Sequence, residues 1–171
     1  MPWVQAEPLE LSARVDTLRR FRSLFDRGED FLFAICSREG GEILGGLGLH
    51  PRVGPGGLEI GYWVRAGATG LGIATEAAAA ATRLGLTLLG ADRIEIRVEP
   101  ENTRSVRIPE KLGFTHEATL RRRLPFGDTY RDQMIWTLFA HEFAGSPAAA
   151  FSAEAFDPLG ASIPLQRGRS G

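Results

Sequence analysis

Residues 61–77 carry the chemistry most readily seen in this chain. Gly61-Tyr62-Trp63-Val64 leads through Gly67, Gly70, Leu71 and Gly72 into Ile73-Ala74-Thr75-Glu76-Ala77. An apolar strand therefore passes through a turn of small residues into an alanine-rich helix. The first turn of a helix leaves its N–H groups without intrahelical partners, and the helix dipole adds partial positive charge there. Gly70 and Gly72 let a ligand approach that backbone closely. The product is an anion site built of main chain, suited to a phosphate or pyrophosphate. Residues able to move protons lie on either side of it: His50 before Pro51, Glu59 in the same apolar strand, and Ser105 three residues after Asn102.

These residues need a scaffold, and the periodicities describe one. Val15, Leu18, Phe21, Leu24 and Phe25 keep helical spacing, which predicts a helix over 11–27 with Ser12 as N-cap and Gly28 as stop. Three strands follow, over 30–37, 42–50 and 57–64, separated by Gly40-Gly41 and Pro55-Gly56-Gly57, as in an antiparallel meander. Residues 71–89 read as a buried helix. Ile94, Ile96 and Val98 share one face of a strand over 93–99. Residues 102–112 read as a short helix closed by Gly113, with Pro109 placed to shorten or kink it. Two strands, 115–124 and 130–139, complete the order. The fold class is mixed α/β, a largely antiparallel sheet flanked by helices, in which the helix over 71–89 joins two parallel neighbours.

At 171 residues one domain is expected, with its body over 1–143. Residues 144–171 shift to Ala, Ser, Gly and Pro and predict a mobile tail. The net charge of −1 points to neither nucleic acid nor an anionic membrane. Lys111 is the single lysine among 20 basic residues, a compositional bias without functional meaning. Cys36, the only cysteine, lies in an apolar run and reads as a buried core residue. One cysteine cannot form an internal disulfide, no run approaches the ~20 apolar residues that span a bilayer, and the start has no charged region followed by an apolar one. A cytoplasmic protein is expected.

Four segments in order resemble the GNAT N-acetyltransferase superfamily, and within it the Rim-type branch of ribosomal-protein N-terminal acetyltransferases. They are Glu59-Ile60-Gly61-Tyr62-Trp63-Val64, Gly70-Leu71-Gly72-Ile73-Ala74-Thr75-Glu76-Ala77, Asn102-Thr103-Arg104-Ser105, and Glu110-Lys111-Leu112-Gly113-Phe114. The resemblance spans roughly residues 30–139. It implies transfer of an acetyl group from acetyl-CoA to a primary amine by direct attack in a ternary complex, with no metal. The family loop usually carries Gln or Arg where this chain has Gly67, and Arg65 is the nearest basic residue. The family also opens with a strand and helix ahead of the point that Met1-Pro2-Trp3 occupies. Either translation starts upstream, or the fold lacks its usual first strand and helix and exposes a sheet edge, which invites a homodimer.

The resemblance also implies roles. Gly70, Leu71, Gly72, Ile73, Ala74 and Thr75 hold the pyrophosphate, and a backbone N–H near Val64 faces the thioester oxygen. Asn102 bonds the pantetheine amides, and Arg107, with Lys111 one turn on, approaches the phosphates. Ser105 is the acid for the departing thiolate. Residue types keep other readings open: Asn102 is a good N-cap, and Ser105 could satisfy a local donor. Glu59 is the candidate base, direct or through water, or else a strand carboxylate in a salt bridge. His50 is the alternative base, or a structural strand-end histidine. Arg121-Arg122-Arg123 would alternate faces in an extended strand, and His116 and His141 have no constellation around them.

Two other classes share part of this pattern. A dinucleotide enzyme would use Gly70-x-Gly72 with an acidic residue about 20 positions on. Position 75 is Thr, Asp92 precedes its strand, only Glu99 ends one, and the meander does not suit a doubly wound sheet. A non-catalytic acyl-CoA sensor or interaction domain would keep the cradle without acetyl transfer.

Overall fold

The computed structural model describes residues 10–165. Met1-Pro2-Trp3 and the last six residues of the expected tail lie outside the described residues. The elements are α1 (Leu11–Asp26), β1 (Phe31–Cys36), β2 (Ile43–His50), β3 (Gly57–Val64), α2 (Ile73–Thr87), β4 (Arg93–Val98), α3 (Thr103–Leu112), β5 (Thr115–Phe126) and β6 (Thr129–Phe139). Their sheet runs β1-β2-β3-β4-β6-β5. Every pairing is antiparallel except β3 with β4, which α2 joins as a crossover. The mixed α/β fold, the antiparallel meander of β1 to β3 and the parallel pairing of β3 with β4 are as the sequence predicts.

Strand alternation divides the sheet into two unlike faces. Leu49, Ile60, Ile94, Ile96 and Leu138 are buried on one, under Ala78, Ala79, Ala81 and Leu86 of α2 and Ile108 and Leu112 of α3. Each large side chain buried there contributes about 1.5–3 kcal/mol. The opposite face carries Ala34, Gly46 and Trp63 in one row, Leu32, Gly48 and Gly61 in the next, then His50, Glu59, Glu95 and Thr137. A row of charge thus lies beside a floor of glycine.

Several expectations are corrected. Residue Glu10, not Ser12, occupies the N-cap of α1, and no side chain caps that helix. Gly28 does end it, at φ +70° with its N–H on Phe25 O. The apolar stripe of α1 is only partly covered: Phe25 packs edge-on against Phe31 and Phe33, while Leu18 remains 65% exposed. Cys36 is exposed, not buried, because it ends an edge strand whose Phe31, Phe33 and Ile35 take the core face. Residues 145–151 of the expected tail are packed, not free. Two 3-10 turns, Phe143–Gly145 and Pro147–Ala150, bury Phe143 and Ala148, and Arg83 donates to the carbonyls of Ala149 and Phe151. Arg121–Arg123 do not alternate: the β5–β6 register shifts between Leu120 and Leu124, with Arg122 at φ +55° and its N–H on Asp132.

Candidate active site

The loop between β3 and α2 has the geometry its glycines imply. Gly70 and Gly72 both lie at φ +81°, where a side chain is strained. Gly72 is the N-cap of α2, no side chain caps the helix, and its first backbone bond runs from Glu76 N–H to Gly72 O at 3.0 Å. The amides of Ile73, Ala74 and Thr75 therefore precede the hydrogen-bonded ladder. An added Cβ at Gly67, Gly70 or Gly72 meets no atom within 4 Å, so packing does not require these residues to be small. Arg65 is ion-paired with Glu42 and Arg107 is exposed. Arg38 Nη2 lies 3.3 Å from Glu76 in the first turn of α2, while the unbonded amides of that turn are main chain.

The strand leading to the loop parts from its neighbour. β3 pairs with β4 only from Gly57–Arg93 to Ile60–Ile96, whereas its pairing with β2 continues to Val64 opposite Gly45. Arg65 N–H donates to Leu44 O of β2 at 2.9 Å. Successive peptide groups of an extended strand point to opposite sides, so the N–H groups of Val64 and Tyr62 point away from β2, into the opening beside β4.

Helix α3 borders this opening. Asn102 caps it, its Oδ1 accepting from Ser105 N–H at 3.2 Å, so one of its alternative readings is realised. The helix continues through Pro109. Proline has no N–H, which leaves the carbonyl of Ser105, four residues earlier, without its helical donor. Tyr62 OH donates to that carbonyl at 3.3 Å, and Ser105 Oγ donates to Tyr62 OH at 3.2 Å. The sequence reading missed Tyr62; the signal was its alternation with Ile60, which aims it at the helix-bearing face. Burial pushes its hydroxyl up to about 12, more than the Ser105 hydrogen bond lowers it. Between the ordinary value of 10.0 and about 12 the unfolded chain has lost this proton and the folded chain keeps it, so stability falls as pH rises through that window. Urea unfolding of Tyr62→Phe should show that fall reduced by on the order of 2–3 kcal/mol.

The glycine-floored face holds the charges. Glu59 is 8% exposed and accepts from Arg52 Nη2 at 2.6 Å, with Arg97 Nε 3.7 Å from its second oxygen. Its carboxylate in turn holds Arg52 more firmly protonated, chiefly through that hydrogen bond. Arg97 and Arg93 both bond Glu95, extending the ladder across β4. His50 Nδ1 lies 2.6 Å from Asp30 Oδ1. Trp63, 41% exposed, stands at the far end of the same face. The sequence reading named His50 and Glu59 but neither Asp30 nor Arg52, whose roles depend on cross-strand register. His116 stacks on Trp136 and bonds within its own turn, away from both clusters.

The family description "Acetyltransferase (GNAT) domain" matches residues 1–115. A Bacillus licheniformis protein called uncharacterized N-acetyltransferase p20 is 31% identical over 137 residues, 80% of this chain and 77% of that one. Mycobacterium smegmatis RimJ, solved in complex with CoA-disulfide, superposes with a TM-score of 0.73 and 29% identity over 86% of this chain and 74% of its own. A GNAT-family acetyltransferase from Bacillus anthracis gives 0.62 and 27% over 65% and 67%. The chain belongs to the GNAT family of acetyltransferases, enzymes that acetylate amines. Its likeness to RimJ sets it in the Rim-type branch of that family.

Proposed function

We propose that this protein transfers the acetyl group of acetyl-CoA to a primary amine, a protein N-terminus or a small amine, by direct attack in a ternary complex. One observation carries the reading: an uncapped helix N-terminus with Gly70 and Gly72 at φ +81° follows a strand that leaves its parallel neighbour. RimJ, which shares the fold, is itself described with a CoA derivative.

The amides from Gly70 to Thr75 take the pyrophosphate, with Arg107 at the rim. The pantetheine arm follows the opening between β3 and β4, where Asn102 meets its amides. Val64 N–H, directed into that opening, receives the thioester oxygen as charge develops on it. The amine enters over Gly61, where Glu59 draws its charge. Engagement of Glu59 by Arg52 favours a base acting through water or through a neighbour over direct contact. Ser105 is the acid at the sulfur: when Tyr62 turns its proton from the Ser105 carbonyl to Ser105 Oγ, the serine proton is free for the thiolate. No metal or covalent enzyme intermediate is required.

We assign the acetyltransferase domain to residues 1–143, with the segment through Phe151 packed against it. β1, an edge strand, offers a route to a homodimer, and a single free cysteine suits the cytoplasm. The test is incubation with acetyl-CoA and a panel of short peptides bearing free Ala, Ser or Met N-termini, amino acids, aminoglycosides and spermidine. Gain of one acetyl group by mass on a panel amine is expected. CoA binding with no transfer across the panel favours the binding-only domain, and no CoA binding at all overturns the reading.

A further inference from the structure

We infer that His50, oriented by Asp30, takes the proton from the acceptor amine, and that Glu59 does not. This rests on the acetyl-transfer reading above and names the proton acceptor within it.

Three observations carry it. Asp30 Oδ1 lies 2.6 Å from His50 Nδ1, with the two side chains 26% and 16% exposed. An ionised carboxylate only accepts hydrogen bonds, so Asp30 holds a proton on Nδ1, and in the neutral ring the lone pair then lies on Nε2. Second, the ring folds back along β2 over a glycine seat. A Cβ on Gly48 would lie 2.3 Å from Nε2, and one on Gly61 of β3 would lie 3.5 Å from it. Nε2 is therefore directed along the face from the His50–Glu59 row toward the Gly48–Gly61 row, on the way to Trp63 and Val64. Gly61 and Val64 are three residues apart, about 10 Å of strand. That span accommodates a base, an amine, a carbonyl carbon and an oxyanion donor in sequence, at ordinary contacts of about 3 Å. Third, the competing carboxylate is occupied, with Arg52 on one oxygen and Arg97 near the other. Asp30 bonds the imidazole, Glu59 is the cross-strand partner of His50, and Arg52 bonds Glu59.

The proton count closes. An incoming ammonium gives one proton to His50 Nε2, which frees its lone pair. The N–C bond forms as the thioester C–S bond breaks. The second proton from nitrogen reaches the CoA thiolate by way of Ser105 or water, and the imidazolium, held by Asp30, releases its proton to solvent. Asp30 is a positioning residue, since it touches only the imidazole.

The test uses the full chain with acetyl-CoA and the panel amine that is turned over fastest, read by CoA thiol release. His50→Gln should lower kcat at least 100-fold, with CoA affinity by calorimetry within twofold of wild type. Asp30→Asn should lower kcat about tenfold with KM for acetyl-CoA unchanged, and Glu59→Gln should lose less than His50→Gln. A His50→Gln enzyme within threefold of wild-type kcat, or a Glu59→Gln enzyme more impaired than it, overturns the assignment. A second readout needs no turnover. Nitrogen-15 NMR of the histidines, assigned with His116→Gln and His141→Gln, should show His50 protonated at Nδ1 and bare at Nε2, a pattern lost in Asp30→Asn. A neutral ring protonated at Nε2 overturns the inference even where CoA binds, whereas failure of CoA to bind strikes the acetyl-transfer reading instead.

Discussion

Gly72→Val should leave the protein folded and weaken its hold on coenzyme A by on the order of 100-fold, about 2.7 kcal/mol, in a calorimetric titration. Gly72 sits at φ +81°, where a side chain costs about 1–2 kcal/mol of backbone strain. An added Cβ there meets no protein atom within 4 Å, so no packing penalty accompanies the strain. The new methyl groups instead stand before the amides of Ile73, Ala74 and Thr75, where the proposed pyrophosphate lies. Gly90 supplies the control. It lies beyond the other end of α2 at φ +70°, again with nothing within 4 Å of an added Cβ. Gly90→Val should cost similar stability and leave CoA affinity unchanged. Equal loss of affinity in both variants, or wild-type affinity in Gly72→Val, would remove the cradle from the mechanism.

Gly45→Ala should be the most destabilising single methyl group in the sheet. Its Cβ would fall 2.2 Å from the carbonyl oxygen of Trp63 and 3.1 Å from Val64 Cα. Both are backbone atoms, which cannot swing aside as a side chain can, so β2 and β3 must separate at that point. Overpacking of this kind costs about 3 kcal/mol or more, which in a chain of this length lowers Tm by about 6–12 °C. The same displacement shifts Val64, so CoA binding should weaken as well. Gly61→Ala is the comparison: its Cβ meets His50 at 3.5 Å, an ordinary contact, and Tm should change little. A Gly45→Ala protein melting with wild type would show that β3 is not seated on β2 as described.

Much of the fold was legible because its signals are local. The strand over 57–64 was bounded by turn glycines and appears as Gly57–Val64. The helix after Gly72 announced itself by composition and begins at Ile73. Errors arose where a local signal had to stand for a neighbour. Cys36 sits in an apolar run, but burial depends on which strand forms the edge and which face looks outward. Composition beyond Ala144 resembles a linker, yet small residues also fit closely against a helix, and Ala148 is fully buried. Pro109 reads as a helix breaker. In place, the carbonyl it strips of a donor is met by Tyr62, so the helix continues.

Local residue order sets the backbone devices: the periods of 2 and 3.6, the glycines demanded at positive φ, and a bare helix N-terminus after a strand. Each follows from the conformational limits of neighbouring residues. Which side chains meet depends on the assembled sheet and its helices. Asp30 reaches His50, Arg52 reaches Glu59, and Tyr62 reaches Ser105, 43 residues away. Cross-strand register and the α2 crossover bring these partners together, and a register shift of one residue would send every strand side chain to the opposite face.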